Sequence, residues 1–194
     1  MPARGPGLLG RFHPDQSGIA AVEFALVLPV MILFSMGVAE VGRFALLNLK
    51  LQHAATTVAD LAARDESVSD DAMTNMLGAM DFVVRPFDLD TQGLVIVSCV
   101  GLDGGGDPTV LAQAEGGGTL DETSAVGSMD GVATLQDDLI LRDGERVVIA
   151  EAIFRYTPWL LELVPEALLR RIAFYRPRLA TAAPSTDPSP PGGA

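Results

Sequence analysis

The hydrophobic pattern of the chain begins with one long apolar stretch. From Ile19 to Ala39, only Glu23 and Ser35 carry polar side chains. As a helix, these 21 residues would extend roughly 31 Å at about 1.5 Å per residue, which is enough to cross a hydrocarbon core of about 30 Å. The stretch is too long and too apolar for an ordinary core helix, so it predicts one transmembrane helix over residues 19–39.

Beyond residue 40 the apolar residues become periodic, and polar residues appear between them. A three-and-four spacing predicts that the helix continues outside the membrane with one apolar face. That face consists of Phe44, Leu47, Leu51, Ala54, Val58 and Leu61. It spans fewer than three heptads, which is short for a coiled coil. Two compatible interpretations remain: the face packs on the protein's own domain, or it packs on a helix of another subunit.

The remainder of the chain predicts a small mixed domain. Ser67 to Asp70 has the residue types of a helix N-cap, and a second helix is expected to run through about Met80. Runs rich in β-branched residues predict strands. These runs cover residues 93–100, 145–156 and, as a short last strand, 172–175. The Gly-rich residues 101–118 between the first two runs indicate a loop or a hairpin connection.

The expected fold class is therefore α+β. A long N-terminal helix, membrane-spanning in its first half and amphipathic in its second half, precedes a small domain with a short helix and a few antiparallel strands. The expected organisation has an N-terminal segment (1–18), the transmembrane helix (19–39), an acidic domain (40–179) and a tail (180–194). The tail is rich in Pro, Ala and Ser, which predicts disorder.

Charge limits the kinds of partner that the protein can bind. The formal net charge is −12, and residues 65–138 contain fifteen acids and one base, Arg85. This balance disfavours nucleic acid as a partner, because phosphate binding requires clustered Lys and Arg. The acidic part is best interpreted as a solvated surface.

The charges that flank the apolar stretch predict its orientation. Arg4 and Arg11 precede it with only Asp15 against them, whereas Glu40 and Arg43 follow it and nearly cancel. The positive-inside rule then places the N-terminus in the cytoplasm and the domain after Ala39 outside.

Two residues interrupt the apolar stretch. Pro29 has no N–H to donate to the carbonyl of Ala25, so a kink is expected there. Glu23 is costly, since an acid within a membrane helix is disfavoured by about 2.5–3.5 kcal/mol on insertion scales. Such a residue indicates a functional site. The alternative is that Glu23, near the cytoplasmic end, extends its carboxylate to the lipid headgroups.

The junction around Gly18 carries a recognisable motif. It reads Ser17-Gly-Ile-Ala-Ala-Val-Glu-Phe24, with Glu and an aromatic residue following a Gly at the start of an apolar helix. This resembles the cleavage site of the type IV pilin superfamily. The continuation to Pro29, followed by Gly37-Val-Ala-Glu-Val-Gly-Arg43, is similar to the TadE-like family of minor pilins or pseudopilins of tight-adherence (Flp-type) pilus systems. The resemblance covers about residues 18–60.

The resemblance implies a role for the junction residues. A prepilin peptidase would cut between Gly18 and Ile19, so that residues 1–18 would be a cytoplasmic leader and Glu23 and Phe24 would lie near the new N-terminus of the exported chain. In the superfamily this glutamate is thought to face the N-terminal amine of a neighbouring subunit, which would fix the register between subunits. Within one helix, Ile19 and Glu23 are also four residues apart, so the pair can equally be intramolecular.

The family also implies the function and the location. The chain would be a structural subunit that takes part in pilus assembly, held in the inner membrane by one helix with its domain in the periplasm, or at the cell surface within a pilus. Its partners would be the prepilin peptidase, other pilin-like subunits, inner-membrane assembly proteins and the lipid bilayer. The alternative function is a membrane-anchored periplasmic binding module with no role in a fibre.

A second way of processing the same stretch is also open. Gly37-Val-Ala39 is a small-x-small triplet after an apolar run, and it could be a signal-peptidase site before Glu40. The length of the run, Glu23 and Pro29 all argue against that interpretation.

No cofactor, metal or catalytic group is predicted. Cys99 stands alone in an apolar run, which favours a buried thiol, and His53 is expected on the protein surface. Asp103, Asp107 and the acids of residues 130–138 could attract calcium, but they lack the spacing of a dedicated site. An enzyme is therefore not expected.

Overall fold

The computed structural model describes residues 17–64, 67–135, 139–177 and 183–184. Its first element is a helix of 46 residues, α1 (Ser17–Ala62), which continues without interruption across Pro29. Continuous helix was expected, since the apolar stretch runs directly into the periodic face. The rest of the predicted leader, with Arg4, Arg11 and Asp15, lies outside the described residues.

The two halves of α1 differ in their surroundings. Every residue from 18 to 34 is exposed, including Phe24 at 66% and Leu26 at 71%. In the second half, Leu47, Leu51 and Val58 are fully buried. Among the described residues, α1 is the one helix long and apolar enough to cross a membrane, judged by length and composition. It suggests a single-pass anchor.

A four-stranded antiparallel sheet forms the centre of the domain. Its strands are β2 (Gly93–Leu102), β3 (Pro108–Gly116), β4 (Arg146–Tyr156) and β5 (Ala167–Tyr175). They lie in the order β3-β2-β4-β5. The long, β-branched strands β2 and β4 are central, as their composition requires, because both faces of a central strand are covered.

The alternation along β4 shows how the sheet is covered. Val148, Ala150 and Phe154 belong to the core cluster that includes the packed half of α1. Val147 and Ile149, which point to the opposite face, pack with residues of the long connection between β3 and β4. The sheet is therefore enclosed between α1 on one face and this connection on the other.

Smaller elements complete the domain. They are β1 (Ser67–Val68), α2 (Asp70–Gly78), α3 (Met80–Val84), α4 (Leu89–Gln92) and β6 (Ala183–Pro184). Ser69 caps α2 by accepting the N–H of Ala72, which confirms the predicted capping. β6 pairs in parallel with β1. The remainder of the tail that was predicted to be disordered lies outside the described residues.

The fold class is confirmed as α+β, and three local predictions need correction. The stretch 101–118 is a hairpin whose second arm, β3, pairs with β2 over most of its length, so a plain loop was the wrong alternative. β5 begins at Ala167, five residues before the predicted strand, because pairing with β4 extends it. The predicted second helix ends at Gly78, and α3 begins at Met80.

The structure shows which of the two interpretations of the periodic face of α1 applies within one subunit. Leu47, Leu51, Ala54 and Val58 are all fully buried in the cluster shared with the sheet. The face therefore packs on the protein's own domain. Packing of this face on another subunit's helix is not needed to bury it.

Candidate functional site

The residues predicted from the junction motif all lie on the exposed first half of α1. Gly18, Ile19, Glu23, Phe24 and Pro29 are exposed in the described chain, and none of them is brought against the folded domain. Their proposed roles in cleavage, register and helix kinking stay predictions.

A different acid of α1, Glu40, lies at the centre of a buried cluster of hydrogen bonds. Glu40 is fully buried although it is charged. Tyr156, the last residue of β4, donates its hydroxyl to Glu40 Oε1. The backbone N–H of Trp159 lies 3.1 Å from Oε1, and that of Leu160 lies 2.8 Å from Oε2. We call these four residues the Glu40 joint.

The local sequence explains why the amides are available to Glu40. Pro158 follows β4 closely, and since proline cannot donate a ladder hydrogen bond, the strand ends before it. The turn after Pro158 presents successive backbone N–H groups with no strand partner. A buried carboxylate is stabilised only when such donors surround it, so the helix and the turn each satisfy the polar groups of the other.

The protonation states of the joint follow from this geometry. The hydrogen bond from Tyr156, followed by that from the backbone of Leu160, lowers the pKa of Glu40 below its usual value. Burial, and then the hydrogen bond with Glu40, raises the pKa of Tyr156 to about 12. At neutral pH the pair is therefore a carboxylate that accepts a hydrogen bond from a neutral phenol.

Arg43 lies one helical turn after Glu40 and stacks on two aromatic rings. Its Cζ lies 4.9 Å from the centroid of Phe87 and 5.8 Å from the centroid of Trp159. Both distances are within the range of a cation–π contact. Its Nε is buried and has no hydrogen-bond acceptor among the described residues. Trp159 thus contributes its amide to Glu40 and its ring to Arg43.

The contact between helix and sheet continues upward from the joint. The rings of Phe44 and Tyr156 meet edge to face with centroids 5.1 Å apart. One turn further, Arg171 of β5 donates to the side-chain oxygen of Asn48. The polar contacts of α1 with the sheet are therefore arranged along one line of the helix.

A second buried carboxylate fastens the opposite face of the sheet. Glu151 of β4 is fully buried and accepts the N–H of Ala125 at 3.1 Å and a guanidinium N–H of Arg170 at 2.9 Å. Ser124 donates its hydroxyl to the other carboxylate oxygen. Arg170 also donates to the carbonyl of Thr123 at 2.8 Å. Glu151 holds the β3–β4 connection, as Glu40 holds α1.

The other polar candidates have local explanations. Asp103 accepts the N–H groups of Asp107 and Gly105 within its own turn, and these hydrogen bonds, that from Asp107 first, lower its pKa. No group of three or more metal-binding side chains occurs within the described residues, and residues 136–138 lie outside them. Cys99 is buried, with its pKa raised to about 11 by desolvation, and His53 is exposed, as predicted for both.

The Glu40 joint was not predicted from the sequence. In the sequence, Glu40 is a flanking charge that nearly cancels Arg43, a member of the Gly37–Arg43 motif and the residue after the alternative signal-peptidase site, and none of these indicates burial. The residues that form the joint belong to two separate motifs, the Glu-x-x-Arg after the apolar stretch and the aromatic-x-Pro at Tyr156. They lie 116 residues apart in the chain, so only a folded sheet brings them together. The joint is a structural connection, because its groups are already satisfied by one another.

Comparison with known proteins gives a match between part of the chain and a protein-family model. No curated protein and no solved structure matches the chain. The match falls on α1, includes Glu23 and Glu40, and confirms the resemblance that the sequence motifs indicated. Residues 18–60 match the family model described as TadE-like protein.

Proposed function

We propose that the protein is a structural, minor-pilin-like subunit that takes part in the assembly of a tight-adherence pilus. The first half of α1 would anchor it in the inner membrane, with the acidic domain in the periplasm. The TadE-like match over α1 supports an association with such a pilus. The observation that carries the finer proposal is that one continuous helix has two parts. Residues 18–39 form a mostly exposed apolar segment, which we call the stem, and residues 40–62 form the core helix of the domain.

The exposed stem supports a role in a membrane and an assembly. A helix that is apolar on all sides is not stable beside water, and it requires lipid or other apolar helices around it. The same surface can exchange one environment for the other, since lipid chains and neighbouring stems are similarly apolar. A subunit built in this way can wait in the bilayer and later pack into a fibre.

Glu23 favours the assembled state over the bilayer in this exchange. In the bilayer its carboxylate is costly, and the amine that cleavage exposes on Ile19 is costly too. Bringing one subunit's amine to the next subunit's Glu23 relieves both costs at once. The attraction is weak in water and strong in a low-dielectric site, so it favours subunits aligned in one register.

The Glu40 joint supports the same role from the other end of the stem. It fixes the start of the packed half of α1 to the end of β4, so the domain keeps one orientation relative to the stem. A simple membrane tether for a binding module requires a span but no such connection. It also requires neither Gly18 nor Glu23.

The proposal is tested by the N-terminal residue of the protein purified from its own cells. We expect Ile19, the product of prepilin-peptidase cleavage after Gly18. Glu40 at the N-terminus would contradict the proposal in favour of a cleaved secretory signal. Recovery of Met1 or Pro2 would instead favour the membrane-anchored binding module.

A further inference from the structure

The connection between β4 and β5 extends along α1 toward the apolar stretch. Residues 157–166 form this loop, which we call the 157–166 loop. Its Trp159 and Leu160 meet Glu40, and its Leu163 extends further toward the stem, where a methyl group placed on Gly37 would lie 3.1 Å from Leu163 Cδ1. The loop therefore contacts the last turn of the apolar stretch.

The position of Gly37 indicates how deep the 157–166 loop lies relative to the hydrocarbon core of the bilayer. The predicted span ends at Ala39, so Gly37 lies about 3 Å inside that end at about 1.5 Å per residue. The headgroup layer on each side of a bilayer is about 5–8 Å thick beyond the hydrocarbon core. A loop that contacts both Gly37 and Glu40 must then lie at the level of the headgroups and the adjoining acyl chains.

The exposed residues of the loop suit that level. Trp159 is 68% exposed and Leu163 is 61% exposed. On the neighbouring surface of α1, Val38 is 58% and Val41 is 53% exposed, so the apolar surface is continuous with the stem. Tryptophan is the residue type most suited to the membrane interface, where its ring contacts acyl chains and its N–H remains hydrated.

The charged residues of the loop limit how deep it can go. Glu162 and Glu166 are both exposed. Burying either carboxylate in hydrocarbon would be costly, so the loop suits the headgroup layer and not the bilayer core.

We propose that the 157–166 loop rests in the headgroup layer of the membrane that α1 crosses, with Trp159 as its anchoring side chain. This inference rests on the proposed function, because it requires α1 to span the bilayer. The helix provides one point of attachment and the loop a second, beside it. Two points restrict the tilt of the domain relative to the membrane plane, which one helix alone leaves free.

The test uses the only tryptophan of the chain as its own probe. The full chain is reconstituted in vesicles of phosphatidylcholine and phosphatidylglycerol that contain lipids brominated at either shallow or deep acyl positions. We expect Trp159 emission to be blue-shifted, to be quenched more by shallow than by deep bromine, and to be protected from acrylamide supplied on both sides.

A matched control is offered by Ile140, which is 77% exposed and apolar but lies at the far end of the sheet, where Arg176 donates to its carbonyl. The double variant Trp159→Phe with Ile140→Trp moves the probe there. Its emission should be quenched freely by acrylamide and unaffected by brominated lipid. The variant Trp159→Phe with Leu163→Trp should repeat the native result.

Each other result overturns the inference in a distinguishable way. If alkaline carbonate releases the chain from the vesicles, the proposed anchoring fails and the inference fails with it. If the chain stays integrated but acrylamide quenches Trp159 as freely as the Ile140→Trp probe, the inference alone is wrong. Protection from acrylamide without any quenching by brominated lipid would assign the loop to a contact between subunits.

Discussion

Residues 17–39 and residues 40–62 divide α1 into equal halves, and both are rich in apolar residues. Residues 18–35 of the first half are exposed and, apart from Glu23 and Ser35, apolar on all sides, whereas the second half buries one stripe and presents residues such as Gln52 and His53 on the other side. A helix adjusts its pattern to its surroundings. The change from uniform to one-sided hydrophobicity therefore marks a change of environment along one continuous helix.

The two halves also use their acids differently. Glu40 is a carboxylate whose hydrogen bonds are supplied within the subunit by Tyr156 and two backbone amides, and these bonds connect α1 to the domain. Glu23 lies exposed on the stem, away from the domain. The comparison suggests that the second half of α1 is optimised for folding and the first for an encounter outside the subunit. The following experiments test that division.

The largest effect is expected on assembly when Glu23 is changed. Glu23→Ala should insert normally, because an insertion cost is removed, and should leave the domain unchanged. Pilus assembly should fail, since each neighbour's amine would be buried without its counter-charge, a loss on the order of a few kcal/mol per contact. The measurement is the number of surface pili at matched membrane levels and cleavage.

Two further variants make this result specific. Glu23→Gln retains the shape but not the charge, and it should fail in the same way. Ser35→Ala removes another polar group of the stem, a hydroxyl that donates a hydrogen bond to the carbonyl of Met31 within the helix. This variant should assemble normally. Normal piliation in both Glu23 variants would show that Glu23 has no electrostatic role.

The next largest effect is expected from Glu40→Ala, and it should appear in folding. The variant leaves the hydroxyl of Tyr156 and the amides of Trp159 and Leu160 buried without an acceptor, which is costly for each group. Chemical unfolding of the detergent-solubilised chain, followed by Trp159 fluorescence, should show a much earlier transition. The matched control is Glu162→Ala, which removes an exposed glutamate of the nearby loop and should change stability by at most about 0.5 kcal/mol. Equal transitions for both variants would contradict the role of the joint.

A pair of identical substitutions compares the halves directly. Leu51→Ala removes a fully buried side chain and should lower the free energy of unfolding by about 2–5 kcal/mol. Leu26→Ala removes a side chain that is 71% exposed, and it should leave the free energy of domain unfolding unaffected. The measurement is urea denaturation of both variants in the same detergent. A comparable loss in the Leu26 variant would mean that the stem also stabilises the domain.

The smallest effect is expected from pH. Since the pKa of Glu40 is lowered in the folded state, its contribution is present above the unfolded value of about 4.3 and is lost as pH falls toward the folded value. Thermal unfolding measured from pH 7 to pH 3 should therefore show stability declining below about pH 4.5. Asp103, whose pKa is lowered too, contributes in the same direction.

The slopes of these curves separate the two carboxylates. Glu40→Gln and Asp103→Asn should each be less dependent on pH than the native chain over the acidic range, whatever their absolute stability. A native slope in the Glu40 variant would show that this carboxylate titrates alike in the folded and unfolded states.

Sequence reasoning succeeded where the signal is local. The length of the apolar stretch, the spacing of Leu47, Leu51 and Val58, and the β-branched composition of β2 and β4 each indicate structure from a few neighbouring residues. The predicted α+β order and the packed face of α1 are accordingly confirmed.

Sequence reasoning was weaker where the structure of a segment depends on strand pairing or on burial by distant parts of the chain. β3 contains Ala, Gln, Glu and Gly among few β-branched residues, and it forms a strand because β2 pairs with it. Glu40 and Glu151 look like surface acids in the sequence, because their partners are supplied by distant parts of the chain. A buried charge depends on donors that only the tertiary fold assembles.

The unbroken course of α1 also determines how a mechanical load would pass through the protein. From Phe44 to Asn48 the contacts of α1 move up the helix, and on the sheet they move from Tyr156, which pairs with Ala167, to Arg171, so both advance in the same direction. A pull on the stem therefore has a component along the strands. Because antiparallel hydrogen bonds lie across the strand direction, such tension shears many of them together instead of opening them one by one.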